Sequence, residues 1–321
     1  MDGTCLPRGL SEKGALGPLG LLGPWEKTVL SNEGGALLLD VAGKGDVSEL
    51  ALLNRSVRLD MAHYETVLSH GDAGFAHRGG FFKVMDEGAI GRCVDDARSV
   101  VFVLREAGDG NAATGGAGRG RIVGSLWVSL DDPGFDAPSP DLVAYLDGHP
   151  LLAKALAEGR VCYGRELIVA RDAPRAVHPG MALFCGAFRA MQAAGFAYAL
   201  SEVYRVVGYR VGAEDFDADI VNEAALRSVA DAGGLAIARN SPRVLDFDGG
   251  PDVTIEPVAV LFDFAVTLQR LERRLSEQGV VTAPVVPSPS PGPGPSPGHP
   301  GEGALEGHEA QPDRPGGERH V

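Results

Sequence analysis

The 321-residue chain carries a formal net charge of −14 and is 44% hydrophobic, which is enough apolar content for a sizeable core. The acidic balance argues against a nucleic-acid-binding protein, because phosphate contacts need a concentrated basic face and the sequence offers none. The four cysteines are too few and too dispersed for a disulfide framework, and none forms a C-x-x-C metal pair. We therefore expect reduced core thiols and no metal.

The first 45 residues are rich in Gly, Leu and Pro without a regular period, so 1–45 is predicted to be an irregular lead-in. It lacks the layout of a signal peptide. No apolar run reaches the roughly 18 residues that a membrane-spanning helix needs. These features predict a cytoplasmic protein without membrane contact, and the abundant Gly, Ala and Arg with little Lys indicate a high-GC bacterial coding bias.

A helical period of apolar residues begins at Asp46 and predicts a helix that ends near His70, with Asp46 or Ser48 as its N-cap. His63, His70 and His77 follow one another at seven-residue intervals. That spacing is too long for two of them to share one ion on a helix face, so a structural role is preferred over a metal site.

Two apolar runs, 98–106 and 120–130, predict the strands of an antiparallel hairpin. Their connection contains the glycine-rich run 115–120, which lacks the Gly-Lys-Ser/Thr ending of a phosphate-binding loop. Residues 140–159 predict a helix interrupted near His149-Pro150, because a residue before proline disfavours the helical conformation.

A strand, a helix and a second strand at the centre of the chain predict a βαβ unit. The first strand, 163–170, is apolar except for one carboxylate, Glu166. A loop leads into a helix over 180–195 that opens at Gly180, and the second strand covers 196–203. The unpaired N–H groups at the start of this helix would form an anion site beside the end of the first strand.

The C-terminal part is predicted to contain shorter elements and then a tail. The acidic run 213–219 is interpreted as a solvated turn. The remaining predictions are a helix at 220–232, strands at 235–246 and 254–264, and a last helix at 264–278. A disordered proline-rich segment is predicted at 280–321.

The βαβ unit resembles that of the GNAT N-acyltransferase superfamily, in which the helix start holds the pyrophosphate of an acyl-CoA. A second resemblance lies in the family's fourth-helix pattern, whose spacing is kept by Asn222, Ala225 and Gly233. Val229 and Gly234 replace its two aromatic residues. The resemblance implies an α/β fold over 46–279, with a GNAT-like mixed β-sheet flanked by helices.

The resemblance implies two catalytic residues. A carboxylate in a partly apolar strand has a raised pKa and suits a general base, and Glu166 holds that place. In many members a helix tyrosine protonates the departing thiolate; Val229 cannot, so Tyr204 is assigned the acid, with Tyr209 in reserve. The implied acyl-CoA-binding residues are Ile168, Val169, Arg175, His178, Gly180, Met181, Ala182 and Asn222. Val177 stands at the family's basic loop position.

The implied activity is transfer of an acyl group from acetyl-CoA or another acyl-CoA to the amine of a small molecule or amino acid. Two alternatives stay open. One is a synthase that takes its acyl group from a carrier protein, like the autoinducer synthases, although those carry arginine where Val169 stands. The other is a catalytically degenerate GNAT-like binding module, which Val177, Val229 and Gly234 would suit. Assembly as a homodimer is also left open.

Overall fold

A computed structural model describes residues 22, 27–57, 85–106, 120–131, 135, 138–211, 213–245 and 252–284. All of them belong to one unit that spans 1–286. His63, His70 and His77, the tip of the predicted hairpin and nearly all of the predicted proline-rich tail lie outside the described residues.

One mixed sheet forms the centre of the described structure. Its order is β11-β1-β2-β3-β4-β5-β6-β10-β8, with β7 paired to β6 and β9 to β10. The pair β5–β6 is parallel, and the other pairs are antiparallel. The strands are β1 Thr28–Asn32, β2 Gly35–Val41, β3 Ser99–Glu106, β4 Ile122–Ser129, β5 Val161–Val169, β6 Tyr198–Val211, β7 Glu214–Val221, β8 Leu235–Arg239, β9 Arg243–Leu245, β10 Asp252–Asp263 and β11 Val281–Pro284.

Helices cover both faces of the sheet. They are α1 Val47–Ser56, α2 Glu87–Asp95, α3 Pro140–Asp147, α4 Pro150–Ala157, α5 Pro179–Ala193, α6 Glu223–Ala232 and α7 Phe264–Glu277. Buried residues of α5, α6 and α7 form one core with one face of the sheet. Residues of α1 and α2 form a second core on the opposite face, and those of α3 and α4 a third.

The helix α5 lies close against the sheet. A Cβ added at Gly186 would lie 1.9 Å from Cδ2 of Leu39 on β2, so any larger residue there would force Leu39 or the helix to shift. Phe184 and Phe188 of α5 pack against Phe262, at ring-centroid distances of 5.4 and 5.0 Å. These contacts fix α5 relative to β2 and β10.

The segment predicted as an irregular lead-in contains two strands, β1 and β2, and the predicted disordered tail begins with a third, β11. Leu30, Leu37 and Leu39 are buried in the core under α5. β11 pairs with β1 over Val281–Pro284. These strands are short and flanked by Gly and Pro, so their stability comes from pairing with distant segments, which composition does not reveal.

The second strand of the predicted βαβ unit is much longer than 196–203, and the predicted acidic turn after it is strand β7. β6 continues to Val211 and pairs with β7. Arg205 binds Asp219 at 2.8 Å and Arg210 binds Asp215 at 2.6 Å. Ion pairs across the two strands thus stabilise this acidic segment as strand β7, although its sequence predicted a solvated turn.

Several other predictions are confirmed. β3 and β4 form the antiparallel hairpin. The helix break at His149-Pro150 separates α3 from α4.

The first helix, α1, ends at Ser56, and residues 58–70 lie outside the described residues. Asp46 precedes α1 but does not cap it, because its buried carboxylate binds Arg105 at 2.7 Å.

Candidate active site

The parallel strands β5 and β6 pair with each other only over their first four residues. Their pairing begins at Val161–Tyr198 and ends at Gly164–Ser201, where the Ser201 hydroxyl donates to the Gly164 carbonyl at 2.7 Å. Beyond this level β5 remains paired with β4 to Val169, and β6 with β10. The two strands therefore bound a slot, which we call the β5–β6 slot.

A β-bulge decides which face of the sheet Glu166 occupies. On β4, Val128 pairs with Gly164 and Trp127 with Glu166, so Arg165 is the extra residue. Strict alternation would place Glu166 on the α5 face with Gly164. The bulge moves Glu166 to the opposite face, where its partner Trp127 lies in the core of α1 and α2.

The surroundings of Glu166 are partly apolar. The residue is half-buried, and its Oε2 atom is shielded from solvent. Cys93 of α2 lies close enough to respond to its charge. Burial raises the pKa of the Cys93 thiol, Arg165 counteracts this, and Glu166 raises it further. Glu166 is therefore within electrostatic reach of α2.

Backbone alternation separates the two residues predicted to polarise the thioester carbonyl. Ala170 donates its N–H to Val123 of β4 at 2.8 Å. Because N–H groups of a strand alternate in direction, that of Ile168 also points toward β4 and that of Val169 points into the slot. The side chain of Ile168 is buried in the core of α1 and α2. Of the two, Val169 has the geometry for oxyanion stabilisation.

The N-terminus of α5 follows the loop that leaves the open end of β5. The first intrahelical hydrogen bond runs from Ala182 N to His178 O at 3.0 Å, so the N–H groups of Gly180 and Met181 have no acceptor within the helix. A Cβ added at Gly180 would meet nothing within 4 Å. Unpaired N–H groups at a helix start are of the kind that binds anionic groups.

Side chains before α5 show how the loop is shaped. His178 has φ 46°, the one positive φ of a non-glycine residue within the described part of the chain. Val177, at the family's basic position, is completely buried in the core under α5. Arg175 is exposed and lies in the short 3-10 turn that precedes His178. Arg175 is therefore the cationic side chain of this turn, and Arg171, also exposed, lies earlier in the same loop.

The N-terminal hairpin, which sequence reasoning missed, supports this loop. Asn32 donates from Nδ2 to the carbonyl of Ala176 at 2.6 Å. A Cβ added at Gly34 would lie 2.5 Å from Cβ of Ala176, so the hairpin turn packs directly on the loop. No motif marks this contact, because the partners are 144 residues apart.

The family's fourth-helix pattern falls on α6. Asn222 caps this helix by accepting from Ala225 N at 3.0 Å, which gives it a structural role. Val229 is buried in the core under α5. A Cβ at Gly234 would lie 2.6 Å from the Phe262 ring and 2.7 Å from Val229. Phe262 thus occupies the space beside Gly234, which accounts for the missing aromatic there.

Tyr204 lies on β6 beyond Ser201, where the slot has opened, and belongs to a polar cluster that the sequence did not reveal. Tyr204 and Glu202 occupy the same face of β6 as Leu200, which shares a core with Tyr163 of β5. Arg243 donates to Glu202 and, at 3.5 Å, to the Tyr204 hydroxyl. The paired register places these residues and Glu166 on one face of the sheet.

The buried cysteines pack in the core, and the described residues offer neither a metal-binding cluster nor a membrane-spanning helix. Burial raises the pKa of Cys185 to about 11, as expected for a thiol among apolar side chains. Among the described residues, no cluster of three or more His, Cys, Asp or Glu side chains is arranged to hold a metal ion. Within the same residues, no helix has both the length and the apolar character to cross a bilayer.

No family model matches the sequence, and no curated protein matches it. Solved structures that match include a putative phosphinothricin N-acetyltransferase, at 11% identity and TM-score 0.40, covering 71% of this chain and 98% of that chain. Mycobacterium smegmatis RimJ in complex with CoA-disulfide matches at 14% identity and TM-score 0.42, covering 80% and 97%. YncA of Salmonella typhimurium with acetyl-CoA, a putative acetyltransferase, matches at 12% identity and TM-score 0.34, covering 71% and 94%.

These similarities are low, so the chain's own topology is the better guide to its class. The sheet is mixed, its parallel pair diverges beside the start of the crossover helix, and α6 lies between β6 and the last strands of the sheet. The chain has the α/β architecture, a mixed sheet flanked by helices, that the sequence predicted.

Proposed function

We propose that the protein is an acyl-CoA-dependent N-acyltransferase that acylates the amine of a small molecule or amino acid. The observation that carries the proposal is the β5–β6 slot, which opens beyond Gly164–Ser201 beside the free N–H groups of α5. A strand edge and a helix start in this arrangement offer hydrogen bonds to an extended ligand that ends in a diphosphate. Acetyl-CoA or another acyl-CoA has this form.

The acyl-CoA supplies a thioester carbonyl for the amine to attack. The diphosphate would bind the N–H groups of Gly180 and Met181, beside Ala182, with Arg175 and His178 near its charge. Asn222 remains a proposed ligand through the outer parts of its side chain or backbone, since its Oδ1 caps α6.

Acyl transfer requires two proton movements. Glu166, directly or through water, takes a proton from the ammonium or attacking amine, and the nitrogen forms a bond to the carbonyl carbon. The Val169 N–H stabilises the oxyanion, beside Ile168 on the same strand. The carbon–sulfur bond then breaks, and Tyr204 returns a proton to the thiolate. Glu202 and Arg243 beside Tyr204 fix its hydroxyl in place.

Isothermal titration calorimetry with acetyl-CoA and longer acyl-CoAs tests the proposal. We expect binding with a micromolar Kd, followed by thiol release when amines are added. Absence of heat from every acyl-CoA, at protein concentrations above that Kd, would defeat it. Thiol release only from an acylated carrier protein would favour the carrier-dependent synthase. Binding without turnover, unaffected by Glu166→Gln, would favour the binding module.

A further inference from the structure

A polar cluster with an unused hydrogen-bond acceptor lies beside the β5–β6 slot. We call Glu202, Tyr204, Asn240 and Arg243 the β6 polar cluster. The Glu202 side chain is only 5% exposed, and it accepts from Asn240 Nδ2 at 2.7 Å and from Arg243 Nη2. Arg243 offsets the charge of this carboxylate, and both donors fix its position.

The side-chain oxygen of Asn240, Oδ1, is buried beside Glu202. The residue is 7% exposed, and its Oδ1 accepts no hydrogen bond within the described part of the chain. Exchanging the amide nitrogen and oxygen would not solve this, because an oxygen would then face the Glu202 carboxylate. A buried amide oxygen without a donor is unfavourable, and it persists here because the Nδ2 bond to Glu202 fixes the orientation of the amide.

Arg243 contributes the opposite kind of group. Both of its hydrogen bonds, to Glu202 and Tyr204, use Nη2, and within the described residues Nε and Nη1 donate to no other group. The Arg243 side chain is 36% exposed, so an incoming anion can approach it. Burial lowers the pKa of Arg243, but the charges of Glu202 and Tyr204 outweigh this and raise it, so the side chain stays cationic.

The cluster lies on the acceptor side of the slot. Glu202 directly follows Ser201, the last residue of β6 that pairs with β5. It also shares the face of Glu166, as the pairing of Ala259 with Glu202 and of Trp127 with Glu166 shows. A molecule whose amine approaches Glu166 would therefore extend its other end across the slot toward Arg243.

We propose that the β6 polar cluster selects an acceptor that carries a carboxylate, that is, an amino acid. The carboxylate binds Arg243 through Nε and Nη1, and the amine lies toward Glu166. A zwitterion suits the cluster better than a simple anion, because the positive amine offsets a second negative charge near Glu202. This inference rests on the proposed function and names the class of its acceptor.

The test compares amino acids with their carboxamides as acceptors. Thiol release from acetyl-CoA is measured for both in the wild type, Arg243→Gln and Arg243→Lys. We expect Arg243→Gln to lower the ratio of kcat/KM between amino acid and carboxamide roughly tenfold to hundredfold, chiefly through KM, since hydrogen bonds to charged groups are lost. Arg243→Lys keeps the positive charge but lacks the planar guanidinium that can bind a carboxylate with two N–H groups. Its kcat/KM ratio should lie between those of the wild type and Arg243→Gln.

Arg239→Gln is the matched control, because Arg239 is exposed and pairs only loosely with Glu256 at 3.7 Å. It should leave the ratio unchanged. A wild type that prefers no carboxylate, or an Arg243→Gln ratio equal to that of the wild type, overturns the inference and leaves the proposed function standing.

A failure of acetyl-CoA to bind would overturn the proposed function instead. Saturation-transfer NMR of the same amino acids with the wild type and Arg243→Gln then decides the inference alone. Transfer that Arg243→Gln removes supports it, and transfer that is absent or unchanged overturns it.

Discussion

The two halves of the β5–β6 pair do different work with the same backbone. In the closed half, Val161 to Gly164 pair with Tyr198 to Ser201, and most of these side chains lie in the core. In the open half, the strands keep only their outer partners, and the carboxylates of Glu166 and Glu202 lie on one face. The packed half holds the strands so that the other half can expose backbone N–H groups to a ligand.

This comparison makes the two halves separable by mutation. Changes in the open half should alter turnover or acyl-CoA binding with little effect on stability. Changes in the closed half, and in the helix that packs on it, should alter stability first. The four predictions below run from the largest expected effect to the smallest.

Glu166→Gln tests the open half most directly. Loss of the base should lower kcat roughly 100- to 10,000-fold, whereas acetyl-CoA should bind with an unchanged Kd. The measurements are thiol release at saturating acetyl-CoA and calorimetry on the same preparation. Glu158→Gln, at an exposed carboxylate bound to Arg160, is the control and should behave like the wild type. Equal kcat values in wild type and Glu166→Gln would remove the carboxylate from the mechanism.

Gly186→Ala tests the packed region. The added methyl group would lie 1.9 Å from Leu39 Cδ2 inside the core, so Leu39 or α5 must move. Overpacking of this kind costs about 1–3 kcal/mol, which thermal denaturation would detect as a lower Tm. An unchanged Tm would mean that α5 is not seated as closely on β2 as described.

Gly180→Asp tests the helix start. The position has open space for a side chain, so stability should hold, but a carboxylate beside the N–H groups of α5 should repel the diphosphate. We expect the KM for acetyl-CoA to rise about tenfold. Ala265→Asp places the same charge in the exposed first turn of α7 and should leave KM unchanged. A similar rise in both variants would point to net charge rather than to this site.

Ser201→Ala removes the last contact between the strands before they diverge. The hydroxyl donates to Gly164 O at 2.7 Å in a half-buried position, and its loss should cost about 1 kcal/mol. Chemical denaturation measures this change in the free energy of unfolding. The kcat should stay within a few-fold of the wild type, because β5 stays paired with β4 and β6 with β10. A large loss of kcat with normal stability would show that Ser201 sets the width of the slot.

The sequence predicted the elements that carry strong apolar periods. The β3–β4 hairpin, the broken helix α3–α4, the helix α5 and the strand with Glu166 lie close to their predicted places. Each is specified by residues near one another in the chain, such as Pro150 or the apolar face of α5. The strands β1, β2 and β11 escaped prediction because distant partners stabilise them, whereas β7 escaped because its carboxylates concealed a hairpin with the preceding strand β6.

The candidate site divides in the same way. The sequence identified Glu166 and the glycine that opens α5 from local residue type and order. It did not reveal the β6 polar cluster, because Glu202 and Arg243 are 41 residues apart and look like ordinary surface charges. It also proposed Ile168 and Val169 together for the oxyanion, and only the alternation of β5 against β4 separates them.

Local sequence alone thus determined the class of the fold, the βαβ unit and the single carboxylate on its first strand. These follow from side-chain period and turn chemistry, which act over a few residues. The tertiary structure decided the face on which Glu166 lies, the opening between β5 and β6, and the assembly of Glu202, Asn240 and Arg243. These depend on register, on one bulged residue and on pairing across the sheet, and such choices are settled only when distant segments meet.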